Sequence, residues 1–165
     1  MADWFEAPIN RSHDRSAFDC GDDNLNRWLS QHARQNHQRG GAKTFIAASP
    51  EQPNRIVGFY SLSPTSVEFE RVPEGMRKGL GRYEVPLFRL GRLAVDVRFQ
   101  NRGFGGKLLV AAARRAEAVA DQVGGIGLLI DAKNDHVARW YEGYGALRFQ
   151  DAPLTLALPF SFIKG

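Results

Sequence analysis

A single cysteine, Cys20, is the only thiol in 165 residues. It excludes an internal disulfide framework, and alone it cannot build a structural zinc site. His32, His37 and His136 have no metal-like partners at suitable spacing, so no metal is expected. No apolar run approaches 18 residues, which rules out a helix crossing a membrane. The start, Met1-Ala2-Asp3-Trp4-Phe5-Glu6, has neither a basic stretch nor an apolar one, so no secretory leader is expected and a cytoplasmic protein is. Two phosphate-binding signatures are also missing. The P-loop string G-x-x-x-x-G-K-[ST] does not occur, and the glycine pair Gly103-x-Gly105 is followed by Leu108 where a dinucleotide fingerprint needs its third glycine. Repeats, low-complexity tracts and interdomain linkers are absent too.

What remains is an ordinary globular composition. At 43% hydrophobic residues, the chain is long enough for one domain, residues 1–165, with a full core. The net charge is +4 and the pI about 9.5. The positive excess is clustered. Arg27, Arg34, Arg39 and Lys43 lie in an acid-free stretch over 24–48, and Arg98, Arg102, Lys107, Arg114 and Arg115 in another over 98–115. Basic helices are usually solvated faces, and +4 is modest for a nucleic-acid binder.

Periodicity orders the elements. Asp22-Asp23-Asn24 supplies caps for an amphipathic helix through Leu25, Trp28, Leu29 and Ala33, ending near Arg39-Gly40-Gly41. Lys43–Ser49 and Arg55–Ser63 read as strands around the turn 50–54, and Thr65–Glu70 either extends the second or forms a third. Residues 73–83 read as a loop or short helix, and Leu87–Val95 as a strand. Leu108, Leu109, Ala112, Ala116, Val119, Ala120 and Val123 recur at helical spacing up to Gly124-Gly125. Ile126–Ile130 is a short strand, Asn134 caps a brief helix carrying Val137, Trp140 and Tyr141, and Leu147–Phe149 and Leu154–Leu158 are the last strands. This order predicts an α/β fold, a mixed central sheet flanked by helices.

The most informative segment is Gln100-Asn101-Arg102-Gly103-Phe104-Gly105-Gly106-Lys107-Leu108-Leu109, between a strand and a long helix. Its glycines allow a tight turn, and the first amides of the helix point outward, unpaired, at the positive end of the helix dipole. Such a place binds a phosphate or pyrophosphate. The pattern Q-x-x-G-x-G-G before a Leu-rich helix resembles the acetyl-CoA pyrophosphate loop of the GNAT superfamily of N-acyltransferases. The element order resembles that fold over nearly the whole chain. Phe18-Asp19-Cys20-Gly21, Leu25-Asn26-Arg27-Trp28-Leu29, Gly41-Ala42-Lys43-Thr44-Phe45, Leu90-Gly91-Arg92-Leu93-Ala94-Val95-Asp96 and Trp140-Tyr141-Glu142-Gly143-Tyr144-Gly145-Ala146 are together similar to the toxin acetyltransferases of bacterial toxin–antitoxin modules.

The resemblance implies acetyl-CoA as co-substrate. Asn101, Arg102, Gly103, Phe104, Gly105 and Gly106 would hold its pyrophosphate. The main chain of Leu93, Ala94 and Val95 would meet the pantetheine arm and polarise the thioester carbonyl, and Asn134 would hydrogen-bond the arm. Tyr141 takes the place of the family's general acid, with Tyr144 in reserve: a phenol (pKa about 10) stays protonated at neutral pH and donates to a thiolate whose acid sits near 8.5. No base is strongly marked. Asp96 and Glu142 are candidates, although isolated carboxylates are usually solvated. An α-amine, near 7.7–8.0, needs a base less than a lysine does.

The acceptor expected from the resemblance is therefore the α-amine of aminoacyl-tRNA, with Arg34, Arg39, Arg77, Lys78 and Arg82 as phosphate contacts. A small ribbon-helix-helix antitoxin and a homodimer go with that subgroup. Two alternatives stay open: a GNAT enzyme acting on a small-molecule or protein amine, and a non-catalytic module working through antitoxin and DNA.

Overall fold

The structure, a computed structural model, describes residues 4–163. Met1, Ala2 and Asp3 of the stretch read for a leader lie outside the described residues. The chain divides into two compact units, residues 1–63 with 91–109 and residues 64–90 with 110–165.

In the first unit, β1 (Phe5–Pro8) and β3 (Gly58–Val67) flank β2 (Lys43–Ala48). Phe5 pairs antiparallel with Ala48 and Pro8 with Phe45, while Lys43 pairs with Leu62 and Ala47 with Gly58. The sequence gives no alternation that announces β1, since its four residues are all at least partly accessible. It is held by the β2 ladder and by the Tyr60 hydroxyl, which donates to the Glu6 carboxylate. Asp22 caps the N-terminal helix by accepting from the amides of Asn24 and Leu25 at 2.9 and 3.3 Å. That helix is not uniform, as periodicity had implied. It runs as α1 (Asp23–Trp28), a π-helical stretch Leu29–Ala33, and α2 (Arg34–Gln38). The widened turn is compatible with the complete burial of both Leu29 and Ala33. They join Ile9, Phe18, Ile46, Ala48, Ile56, Phe59 and Ala94 in the unit's core.

The second unit carries β5 (Gly127–Asp131), α4 (Asp135–Glu142), β6 (Leu147–Arg148) and β7 (Thr155–Pro159). β4 (Val85–Val95) starts here and pairs parallel with β5, Phe88 with Leu128 through Leu90 with Ile130. β7 lies antiparallel to β5, Gly127 with Pro159 through Asp131 with Thr155, and antiparallel to β6 on its other side. The strands form one mixed sheet in the order β1-β2-β3-β4-β5-β7-β6. Val67, Val72, Met76, Val85, Leu87, Leu129, Phe149 and Ala157 make the second core. Burying each Leu or Phe of this kind is worth roughly 1.5–3 kcal/mol before conformational entropy is subtracted.

The Thr65 stretch extends β3, one of the two readings of the sequence, but only to Val67, and a 3₁₀ turn at Phe69–Arg71 takes up the rest. The expected loop or short helix over 73–83 is a loop that opens with a 3₁₀ turn, Glu74–Met76. The connecting helix, α3 (Phe104–Val123), keeps its apolar stripe in sequence, but burial stops at Ala116. Val119 and Val123 are 45% and 73% exposed because the helix outlasts the surface it packs on.

Candidate functional site

β4 ends at Val95, and Asp96 opens a 3₁₀ turn, Val97–Phe99, by accepting from the amide of Arg98 at 3.0 Å. The chain then passes through Gln100, whose side-chain amide donates to the carbonyl oxygens of Val95 at 2.8 Å and Cys20 at 2.9 Å. One side chain thus ties the loop to the end of its own strand and to the segment before α1. Asn101 and Gly103 follow with φ of 64° and 82°, the left-handed region. For Gly103 this is the conformation glycine adopts without strain, and a side chain there would meet nothing within 4 Å.

The first bond of α3 runs from the amide of Lys107 to the carbonyl of Gly103 at 3.3 Å. The amides of Phe104, Gly105 and Gly106 come before it and have no acceptor among the described residues. The Phe104 ring is buried edge-on against Trp4 and Phe99, with centroids 6.4 and 6.0 Å away. Packing fixes the ring and leaves the backbone as the binding element. Arg102 is exposed, its guanidinium 5.9 Å from the Phe99 ring. A row of fixed donors at a helix start suits a diphosphate.

Leu93, Ala94 and Val95 stand where the sequence places them, on the last stretch of β4. The strand runs five residues past Leu90, the end of its ladder with β5. Ala94 and Val95 are buried, as expected for core side chains. Asp96 corrects the picture of a solvated carboxylate. It is 1% exposed and accepts from the amides of Asp19 at 3.2 Å and Arg98, with Arg98 Nε at 3.7 Å. It is a structural anchor.

In the second unit, Asn134 caps α4 by accepting from the amide of Val137 at 2.9 Å. Its oxygen is therefore committed to the cap, and its side-chain NH₂ is what remains for a ligand. Tyr141 is 7% exposed, and its hydroxyl has no hydrogen-bond partner among the described residues. Burial pushes the phenol up to about 12. Trp140 lies edge-on to Tyr141 and to Tyr144, each ring centroid 5.0 Å away. Tyr144 has left the helix, its amide donating to the Tyr141 carbonyl in a turn, and it is exposed. Glu142, the other base candidate, pairs with Arg148 at 2.9 Å, and Arg148 also holds Asp135 at 2.8 Å.

The basic candidates differ in kind. Arg39, Lys78 and Arg82 are exposed. Arg77 is engaged, donating to the carbonyls of Val72 and Glu70 at 2.8 and 2.6 Å and lying over Phe69. Arg34 donates to Gln38 at 3.3 Å, while its Nε is buried without a partner among the described residues. Sequence reasoning did not single out Gln100 as a side chain that builds the loop. Its only signal was the leading glutamine of Q-x-x-G-x-G.

Comparison with known proteins agrees with this geometry. The acetyltransferase (GNAT) family profile matches residues 4–146. A protein of Mycobacterium tuberculosis (strain ATCC 25618 / H37Rv) named tRNA-acetylating toxin is 34% identical over 156 residues, covering 93% of this chain and 92% of that protein. A solved structure of a tyrosine-to-phenylalanine mutant of KacT superposes with TM-score 0.88 at 26% identity, covering 97% of this chain and 96% of that one. A structure of AtaTR bound with AcCoA superposes with TM-score 0.83 at 25% identity, covering 98% and 96%.

Proposed function

Because the chain belongs to the GNAT family of acetyltransferases, we propose that it moves the acetyl group of acetyl-CoA onto the α-amine of an aminoacyl-tRNA and so arrests translation as the toxin of a toxin–antitoxin pair. The observation that carries the acceptor is the relative named tRNA-acetylating toxin, similar over nearly the full length of both chains. The loop supports the co-substrate. The amides of Phe104–Gly106, without an acceptor among the described residues, the open space at Gly103 and the Gln100 tether match what a diphosphate requires.

In this reading the bound co-substrate supplies an acetyl thioester. The main chain of Leu93–Val95 aligns the pantetheine arm and donates to the carbonyl oxygen as it gains charge. The neutral amine forms the C–N bond as the C–S bond breaks. Tyr141 gives its hydroxyl proton toward the departing sulfur, the acylated nitrogen gives up its extra proton to water, and the Tyr141 oxygen takes a proton back from water, so charge and protons balance and the phenol is restored. Asn134 contributes through its NH₂. Arg34, Arg39, Lys78 and Arg82 contact tRNA phosphates, and Arg77 shapes the loop beside them.

A ribbon-helix-helix antitoxin, a homodimer, a single domain over 1–165 and a cytoplasmic site complete the proposal. No helix among the described residues is long and apolar enough to cross a membrane. Labelled acetyl-CoA tests the central claim. Label is expected in charged tRNA, and label in protein or in a small amine instead refutes the acceptor. Growth inhibition that survives Tyr141→Phe would mean that a binding module, not an enzyme, does the work.

A further inference from the structure

Arg92 stands out in the first unit. The side chain that Gly91 lacks would point at the Ser61 hydroxyl, 3.1 Å away. The next residue, Arg92, sends its guanidinium 4.0 Å over the Trp28 ring, which is stacked at 16° on Phe59. Phe59 and Ser61 lie two apart on β3 and so share a face. The Arg92 side chain therefore reaches the face of β3 that carries Phe59. The result is a three-layer stack of Phe59, Trp28 and Arg92, and stacking orients a guanidinium through its plane while leaving its N–H edge free.

That edge meets no acceptor among the described residues. Arg71, Arg89 and Arg148 each hold a carboxylate, and Arg77 holds backbone carbonyls. Arg92 has neither ion pair nor hydrogen bond among the described residues. It is also half-buried, and burial lowers its pKa. A guanidinium partly withdrawn from water gains when an anion arrives at its edge.

We propose that Arg92 receives a phosphodiester of the acceptor's 3′-terminal strand, its planar fork held ready by Trp28. This rests on the reading of the acceptor as aminoacyl-tRNA. A guanidinium fork matches two phosphate oxygens. Arg92 lies on the same strand as Leu93–Val95, so anchoring the strand and aligning the thioester would share one rigid element. Acetyl-CoA also carries phosphate, and the test separates the two sources.

The experiment uses the full chain, Arg92→Gln and Arg92→Lys, with charged tRNA and with aminoacylated oligonucleotides. In the latter, each single-strand phosphodiester is replaced in turn by a neutral methylphosphonate. For Arg92→Gln the KM for charged tRNA should rise about tenfold or more, with kcat and acetyl-CoA affinity unchanged. The slope of log affinity against log salt should shrink by about 0.7. One methylphosphonate position should weaken the wild type and leave Arg92→Gln indifferent, while Arg92→Lys should keep the slope and lose part of the affinity.

An unchanged KM and slope in Arg92→Gln overturns the inference, as does a loss confined to acetyl-CoA binding. Should Arg92→Gln fail to fold, a wild type insensitive to every methylphosphonate overturns it equally well. If the wild type never labels charged tRNA, the acceptor reading falls and this inference with it. That result is distinct from active wild type beside an unaffected variant.

Discussion

Replacing Tyr141 by Phe removes one oxygen and nothing else, and the structure predicts opposite signs for its effects on stability and activity. The side chain is buried, and its hydroxyl has no partner among the described residues. Removing a hydroxyl that makes no hydrogen bond leaves stability at pH 7 unchanged or raises it by up to about 1 kcal/mol. If the hydroxyl is the acid, kcat should fall about 10²–10⁴-fold. A second signature appears at high pH. The folded phenol, pushed up to about 12, keeps its proton while an unfolded tyrosine near 10 loses it. Between those values the unfolded state binds fewer protons, so stability falls as pH rises.

The wild type keeps the full contribution below about pH 10. At about 1.4 kcal/mol per pH unit between the two values, the loss reaches roughly 2 kcal/mol by pH 12, where the folded phenol begins to ionise as well. Tyr141→Phe lacks this term. Urea denaturation of both proteins from pH 8 upward, read as the difference between them, isolates it from the other alkaline titrations. A variant that is destabilised at pH 7, or that shows the same alkaline loss as wild type, would mean that the hydroxyl serves packing and not proton transfer.

Further outcomes follow from the loop and its supports. Gly103→Ala must adopt φ near 82°, which costs about 1–2 kcal/mol. Because its Cβ meets nothing within 4 Å, isothermal titration should show weaker acetyl-CoA binding from strain, not from a clash. Gln100→Ala removes both tethers of an exposed residue, so acetyl-CoA affinity should drop about tenfold while the melting temperature barely moves. Asp96→Ala leaves the Asp19 and Arg98 amides unsatisfied and should lose about 2–4 kcal/mol in urea denaturation. Neutralising exposed Arg39, Lys78 and Arg82 together should flatten the salt dependence of the KM for charged tRNA, whereas Arg77→Gln should chiefly lower stability, because its guanidinium holds backbone carbonyls.

The legible parts of this chain are those written in local chemistry. The cap at Asn134, the stop of α3 at Gly124-Gly125 and the turn before Phe104 follow from side-chain oxygens and glycine torsions that act within a few residues. What stayed hidden depends on partners distant in the chain. β1 exists because β2 offers it an edge, and nothing within Phe5–Pro8 alone reveals that. The π-helical stretch answers to the packing of Leu29 and Ala33 on strands that come later. Asp96 and Glu142 look alike as isolated acids. Folding buries one against the Asp19 amide, 77 residues away, and leaves the other on the surface with Arg148. The Arg92 stack needs Trp28 and Phe59 brought together from separate elements, so spacing gave no hint of it.

The fate of those two carboxylates bears on the acceptor. Asp96 already accepts backbone hydrogen bonds inside the protein, and Glu142 is committed to Arg148, so neither is free to strip a proton from an incoming ammonium. The amine then has to arrive neutral. For a lysine side chain, with a pKa of about 10.4, that costs about 4.6 kcal/mol at pH 7. For an α-amine near 8 it costs about 1.4 kcal/mol, and the electron-withdrawing ester of an aminoacyl group reduces the figure further. The difference, roughly 3 kcal/mol, is more than a hundredfold in rate. It should appear in the pH profile: kcat/KM with charged tRNA should level off at or below about pH 8, the acid limb tracking the acceptor's own amine. A limb that instead follows an enzyme carboxylate near pH 4–5, or keeps climbing toward pH 10, would restore a base or a lysine acceptor to the mechanism.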